Sequence, residues 1–350
     1  MMRLFVLILF SLTALAAAQN TKPGTPDFSA VIFIHGDGDY TYSDNNNNLV
    51  NSDEEILFKA VKAAEKLRSS EVFIYHYKKQ ETSFVFFKGN DVDMYFYQNG
   101  SLVRKSSMQR KTFNFKDELD FYRKYHVRSI KNLMLYYGHE IPVTGGKNYN
   151  ASYQDEPFNL TIFTAAVKDF FNNQKADLIV LSSDCSGIPL VINALSAYTN
   201  YIVASPDKLG SRFINPFHIK KLNYYGTGSF EDFVVEFSSA SFREIRNEND
   251  MMTVVSAYKT GELSFEFLQK AIREMPVIAA DENLLETCDL ADYAGDLEGA
   301  SKGVIVYYNP PAGGRWMAKM EHSGWGCKRI KNSAFLENTG SRRLSLLLQH

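Results

Sequence analysis

The chain has 350 residues, of which 45% are apolar, and a formal net charge of −2. That composition supports one large core or two small ones. No basic block or arginine-rich face is present, so nucleic acid is excluded as an expected partner.

The first residues read as an export signal. Met1-Met2-Arg3 is a short charged lead, Leu4–Ala16 an apolar stretch too short to span a bilayer, and Ala16-Ala17-Ala18 a small-residue cleavage site. The expectation is a signal peptide over 1–18 and a single exported domain over 19–350, secreted or periplasmic. No second long apolar run follows, so no membrane attachment is expected after cleavage. Of the three cysteines, Cys288 and Cys327 can pair, which leaves Cys185 as a free thiol.

In chain order, Ser29–Ile34 is a continuous apolar run, as in a strand buried on both faces, and it breaks at His35-Gly36-Asp37-Gly38-Asp39. A helix follows over Ser52–Arg68, with Ser52 and Glu55 as a capping box. Glu71–Tyr77 is the second strand. Asn99-Gly100 between two apolar runs predicts a β-hairpin over Met94–Lys105. Phe115–His126 is a helix capped by Asn114, and Ile130–Tyr136 a third parallel strand, with His139 just past its end. A polar loop, Pro142–Phe158, leads to a helix over Asn159–Asn172. Ala176–Leu181 is the fourth strand, Gly187–Ala197 a helix directly behind Cys185, and Tyr201–Ala204 the fifth strand, ending at Ser205-Pro206-Asp207. Later, Ser229–Phe237 and Ser264–Met275 read as helices, and Thr253–Tyr258 and Gly303–Tyr308 as strands. Strands alternating with helices predict right-handed βαβ units. The expected fold class is α/β: a three-layer sandwich around a mostly parallel sheet, with the hairpin inserted.

In such sheets reactive groups gather beyond the carboxyl ends of the strands. Two strand ends here carry a nucleophile and a base. Cys185 follows ADLIVLSSDCSG and His139 follows KNLMLYYGHEI. A thiolate next to an imidazole and a helix start is the pattern of acyl transfer through cysteine. Backbone amides at Gly138, Glu140 and Cys185 are candidates to hold the oxyanion. The bland alternative for Cys185 is a packed core thiol, and for His139 an ordinary polar strand end.

These segments resemble the clostripain-like cysteine peptidases, which share the caspase–gingipain–legumain fold. The family's strand and His-Gly block is similar to Leu133–Glu140, its nucleophile block to Asp177–Cys185, and the strand after it to Ala197–Ser205. Val31–Asp39, the hairpin and Asp289–Ala294 also have counterparts. The resemblance implies His139 as base, Cys185 as nucleophile, a protein or peptide substrate, and cleavage after basic residues through an acidic pocket floor. At the family's pocket carboxylate, two residues before the cysteine, this chain has Ser183. Asp184, Asp37 and Asp207 are the acidic residues at hand for that floor. Where the family has glycine after the histidine, this chain has Glu140. The resemblance also implies Ca²⁺ as an activating ion, with Asp37–Asp44 or Asp155-Glu156 as acidic loops; otherwise no cofactor and no metal site is expected.

Two other readings stay open. Ser183–Gly187 is similar to a nucleophile elbow, Phe33–Gly36 to an oxyanion loop, and His322 to a late triad histidine, as in an α/β-hydrolase-type esterase. The third reading is a catalytically inactive binding protein on the caspase fold. Lys147, in the long loop, is the expected point of any self-cleavage. Preferred residue, physiological substrate and oligomeric state are not legible in the sequence.

Overall fold

The computed structural model describes residues 25–36, 41–43, 49–79, 82–83, 87–110, 114–150, 152–206, 209, 212–225, 230–247, 253–263, 286–287, 303–309 and 328–329. Among them nine strands form one sheet: β1 (Phe28–His35), β2 (Ser70–Tyr77), β3 (Val92–Gln98), β4 (Ser101–Met108), β5 (Lys131–Gly138), β6 (Ala176–Ser182), β7 (Thr199–Ala204), β8 (Thr253–Lys259) and β9 (Val304–Asn309). Their spatial order is β9-β8-β7-β6-β5-β1-β2-β3-β4. The strands from β7 to β2 run parallel. An antiparallel pair flanks them at each edge. Every residue of β1, β2 and β6 is buried, which is what their unbroken apolar runs require.

Among the described residues, five helices of two turns or more cover the sheet: α1 (Ser52–Lys66), α2 (Lys116–Tyr125), α3 (Leu160–Phe170), α4 (Pro189–Ser196) and α5 (Phe230–Asn247). Strand side chains alternate between faces. Ala30, Ile32 and Val180 pack with α1 and α5, while Val31, Phe33 and Leu181 pack with α2, α3 and α4. The result is the expected three-layer α/β sandwich. From β1 the chain moves first to β2 on one side, and later returns through α2 to β5 on the other. The strand order therefore reverses between β1 and β5, the place where open sheets of this kind collect their ligands.

Several local expectations are corrected. The α1 cap is Asn51, whose side chain accepts from the Asp53 amide, rather than Ser52, which is itself buried. The helix behind the cysteine starts at Pro189, not at Gly187. A side chain at Gly187 would lie 2.6 Å from the Pro206 nitrogen, so this residue serves close approach of two backbones rather than a helical turn. Helix α5 continues ten residues beyond its predicted end, with Ala240, Phe242 and Ile245 buried along the added turns and the Ser238 and Ser241 hydroxyls donating to carbonyls one turn back. A 3-10 segment, Pro216–Lys221, runs into the single helical turn Leu222–Tyr225; neither was read from the sequence. The hairpin forms the outer edge of the sheet. Asn99 and Gly100, at φ 51° and 82°, make the turn, and the Asn99 side chain accepts from the Ser70 amide. Strand β4 is exposed over Ser101–Lys105, and its pairing with β3 slips between Phe96 and Tyr97. The helix expected at 264–275, the Asp289–Ala294 block, Cys288, Cys327 and His322 lie outside the described residues. No helix among the described residues is long and apolar enough to cross a membrane.

Candidate active site

Strands β5 and β6 are neighbours, with Tyr137 opposite Ser182, and β1 places His35 opposite Gly138. Paired strands sit about 4.8 Å apart. His139 and Cys185 thus leave the sheet at adjacent points on one rim, beside the reversal of strand order. His139 is exposed; Cys185 is half-buried, a free thiol, and rests against the α2–α4 side of the core.

Cys185 has φ 49°, in the left-handed region. For a residue with a Cβ this conformation costs about 1–2 kcal/mol, so the surroundings must hold it. The Ser186 hydroxyl donates to the Leu181 and Ser183 carbonyls at 3.1 and 2.8 Å. The Gly187 amide donates to the Ser205 carbonyl at 2.7 Å, and the Tyr258 hydroxyl donates to the Gly187 carbonyl at 3.0 Å. Asp184 Oδ1 accepts from the Leu209 amide at 2.6 Å, and Ser182 Oγ from the Ile214 amide at 2.8 Å.

Around His139, the Tyr149 hydroxyl donates to the His139 carbonyl at 3.0 Å, and the two rings stand at 82° to each other. The Tyr149 and Tyr136 hydroxyls are hydrogen-bonded, and Tyr136 in turn meets His35 Nδ1 at 3.2 Å. His35, predicted as part of a strand-end turn, is instead interior, at 3% exposure. Tyr77 meets its ring edge-on at 3.9 Å and Phe115 stacks parallel to it at 5.8 Å. Burial, followed by the charges of Arg110 and His139, lowers the His35 pKa well below that of a free imidazole. The residue is neutral at physiological pH.

The loop after β5 folds back over this cluster. The Phe158 amide donates to the Gly146 carbonyl at 3.0 Å, Asn148 to Gln154 at 2.8 Å, and Leu160 to Pro142 at 2.8 Å. Phe158 is fully buried against His35 and Tyr136. The Tyr153 hydroxyl donates to Asp91 Oδ2 at 2.6 Å, and that carboxylate also pairs with Arg110 Nε at 3.3 Å, deep in the protein. Lys147 stands exposed on the same loop.

Gly138 is the buried last residue of β5, and Glu140 is exposed. Ser183 is wholly buried, and its hydroxyl has no hydrogen-bond partner. Asp37 and Asp207 lie outside the described residues. One carboxylate that escaped the sequence reading is Asp53, in the first turn of α1. It is 2% exposed, and its Oδ1 lies 1.4 Å from where a Gly36 Cβ would sit, so its carboxyl group covers the end of β1. Among the described residues no three His, Cys, Asp or Glu side chains are grouped to hold a metal ion. Asp155 and Glu156 are described, whereas 37–40 and 44 fall outside the described residues. Three asparagines that each begin an Asn-x-Ser/Thr triplet serve the fold: Asn99 in the hairpin, Asn150 accepting from the Ser152 and Tyr153 amides, and Asn159 capping α3.

No family model and no curated protein matches the sequence. Solved structures do match the fold. A secreted C11 cysteine protease from Bacteroides thetaiotaomicron, in complex with an irreversible peptide inhibitor, superposes with a TM-score of 0.51 at 11% identity, over 75% of this chain and 72% of that one. An inactive zymogen C11 protease from Parabacteroides distasonis gives 0.48 at 14% identity, over 75% and 69%. The expected caspase-like architecture is thus the observed one.

Proposed function

We propose that this chain, built on the fold of the clostripain-like peptidases, is an exported cysteine endopeptidase. The observation that carries the proposal is the strained backbone of Cys185, held at the carboxyl rim beside the strand that His139 follows. Strain of this kind in a non-glycine residue collects at functional sites, where the surroundings enforce it. The match to a protease solved with a peptide inhibitor adds support for a peptide as substrate.

In this reading His139 takes the Cys185 thiol proton, and the thiolate attacks the scissile carbonyl. Amides at Gly138 and Glu140, at the end of β5, and at Cys185, beyond the end of β6, stabilise the oxyanion. His139 passes its proton to the leaving amine, and the acyl group remains on sulfur as a thioester. Water, deprotonated by His139, then releases the acid and restores the thiol. No step runs through a metal. Preference for basic residues would rest on Asp37 or Asp207, since Ser183 is buried and Asp184 is bonded to the Leu209 amide. Lys147 is the proposed self-cleavage point, and 1–18 the proposed signal peptide. The esterase reading is set aside, because its oxyanion loop places His35 in the interior and the fold is the caspase-like one.

The test is labelling and turnover. The mature protein is treated with acyloxymethylketone peptides carrying lysine, arginine or leucine next to the warhead, and assayed on fluorogenic peptides. Labelling at Cys185 that is lost in His139→Ala is the expected result. A Cys185 that no probe labels, with no peptide turned over, rejects the peptidase and leaves the inactive caspase-fold binding protein.

A further inference from the structure

We propose that His35, Tyr136 and Tyr149 form a one-directional hydrogen-bond relay that positions the main chain of His139, making Tyr149 a positioning residue for the base. The inference rests on the dyad reading only for its catalytic consequence.

The direction follows from counting protons. The end of the chain is the His139 carbonyl, which can only accept. Tyr149 has one hydroxyl proton and donates it there at 3.0 Å. In the bond between the two phenols, Tyr136 must therefore be the donor, since Tyr149 has no second proton to give. Tyr136 has then spent its own proton, so the contact with His35 at 3.2 Å requires the proton on His35 Nδ1. A neutral imidazole carries one ring proton, and the relay assigns it to Nδ1. The burial of His35 and the repulsion from Arg110 and His139 keep it neutral, with a single ring proton to place.

Three further features fit a relay better than ordinary packing. The chain joins residues 101 positions apart across the point where strand order reverses. Gly138 leaves the space it needs: a Cβ there would stand 3.0 Å from the Tyr136 hydroxyl and 3.0 Å from the His35 Cβ. Phe158, wholly buried, roofs the chain, packing at 4.6 Å from Tyr149 and 5.9 Å from Tyr136. The inner bond, between His35 and Tyr136, is buried, where hydrogen bonds restrain their neighbours more strongly, and the outer one reaches the exposed His139 carbonyl.

The experiment compares wild type with Tyr149→Phe, Tyr136→Phe, their double variant, His35→Asn and His35→Leu. Peptide hydrolysis and hydrogen exchange of the peptide spanning 139–141 are measured on each folded protein. Links in series predict that Tyr149→Phe lowers kcat by about tenfold with KM unchanged, as small misplacements of a catalytic group do. The double variant should be no slower than Tyr149→Phe alone. His35→Asn, which can keep a donor near the Nδ1 position, should retain more rate than His35→Leu. Exchange in 139–141 should rise in Tyr149→Phe and not in the core strands. Additive losses, or unchanged exchange at 139–141, overturn the relay. A wild-type protein that hydrolyses nothing defeats the dyad reading instead, and the exchange measurement then decides the positioning claim on its own.

Discussion

The two sides of the rim are held by opposite means. The Cys185 turn is fixed by short local bonds: Ser186 to carbonyls three and five residues back, Gly187 to the next strand's exit, Asp184 to Leu209. His139 is fixed from a distance, through two phenols and an imidazole drawn from β1, β5 and the loop beyond. The contrast follows from backbone geometry. A left-handed cysteine needs many restraints close by, whereas an exposed histidine at a strand end has no local turn to hold it. The Cys185 side should therefore respond to substitutions of its immediate neighbours, and the His139 side to substitutions made at a distance.

The largest expected effect sharpens that contrast least and comes first. Cys185→Ala or His139→Ala should lower turnover by about a thousandfold or more, with the melting temperature near wild type. Either variant retaining most activity would break the dyad. Next is the buried pair behind the base-side loop. Asp91→Ala strands Arg110 inside the protein and removes the acceptor of Tyr153, so a loss of about 3–5 kcal/mol is expected in a urea titration. A third test puts one glycine from each side in opposition. A Cβ on Gly146 would lie 1.9 Å from the Phe158 carbonyl oxygen, and one on Gly187 2.6 Å from the Pro206 nitrogen. Both alanine variants should be destabilised by about 2 kcal/mol or more, Gly146→Ala by the greater amount since its φ is also 86°. The smallest effect lies away from the rim. Burial alone would raise the Glu244 pKa, but hydrogen bonds from His218 and Asn215 and the charge of Lys59 bring it down to about 2. A lowered carboxylate pKa stabilises the fold above the unfolded value and loses that contribution as pH falls through the folded one. Glu244→Gln should cost about 1 kcal/mol at neutral pH, discounted for partial exposure, and the difference from wild type should fade between about pH 4.5 and pH 2. Peptidase rate should not change, which makes this variant the control for the rim.

Much of this architecture could be read from the chain because buried parallel strands write themselves as unbroken apolar runs. Ser29–Ile34, Glu71–Tyr77 and Ala176–Leu181 all became strands within a residue or two of their predicted ends. Helix limits were less legible where the deciding contact was tertiary. Gly187 was read as a helix start, and its real constraint is the Pro206 backbone. Helix α5 was read as ending at Phe237, and it runs on to Asn247. Candidate residues at strand ends were visible one by one, as His139 and Cys185 were. The relay was not. Tyr136 looks like any core aromatic, Tyr149 like a loop residue and His35 like a turn, and only folding brings their three polar atoms into line. Asp53 was hidden in the same way, as one of three acidic residues in a helical first turn.

The outer strand β4 bears on how the protein behaves in company. A long sheet exposes unpaired amides and carbonyls along its last strand, and these invite other chains to zip on. Here that strand carries Arg104 and Lys105, and the slip at Phe96/Tyr97 skews its ladder. Like charges meeting across such a margin repel, and a skewed ladder offers a poor template. Among the described strands the sheet thus ends at β4, on a margin that resists growth into fibrils.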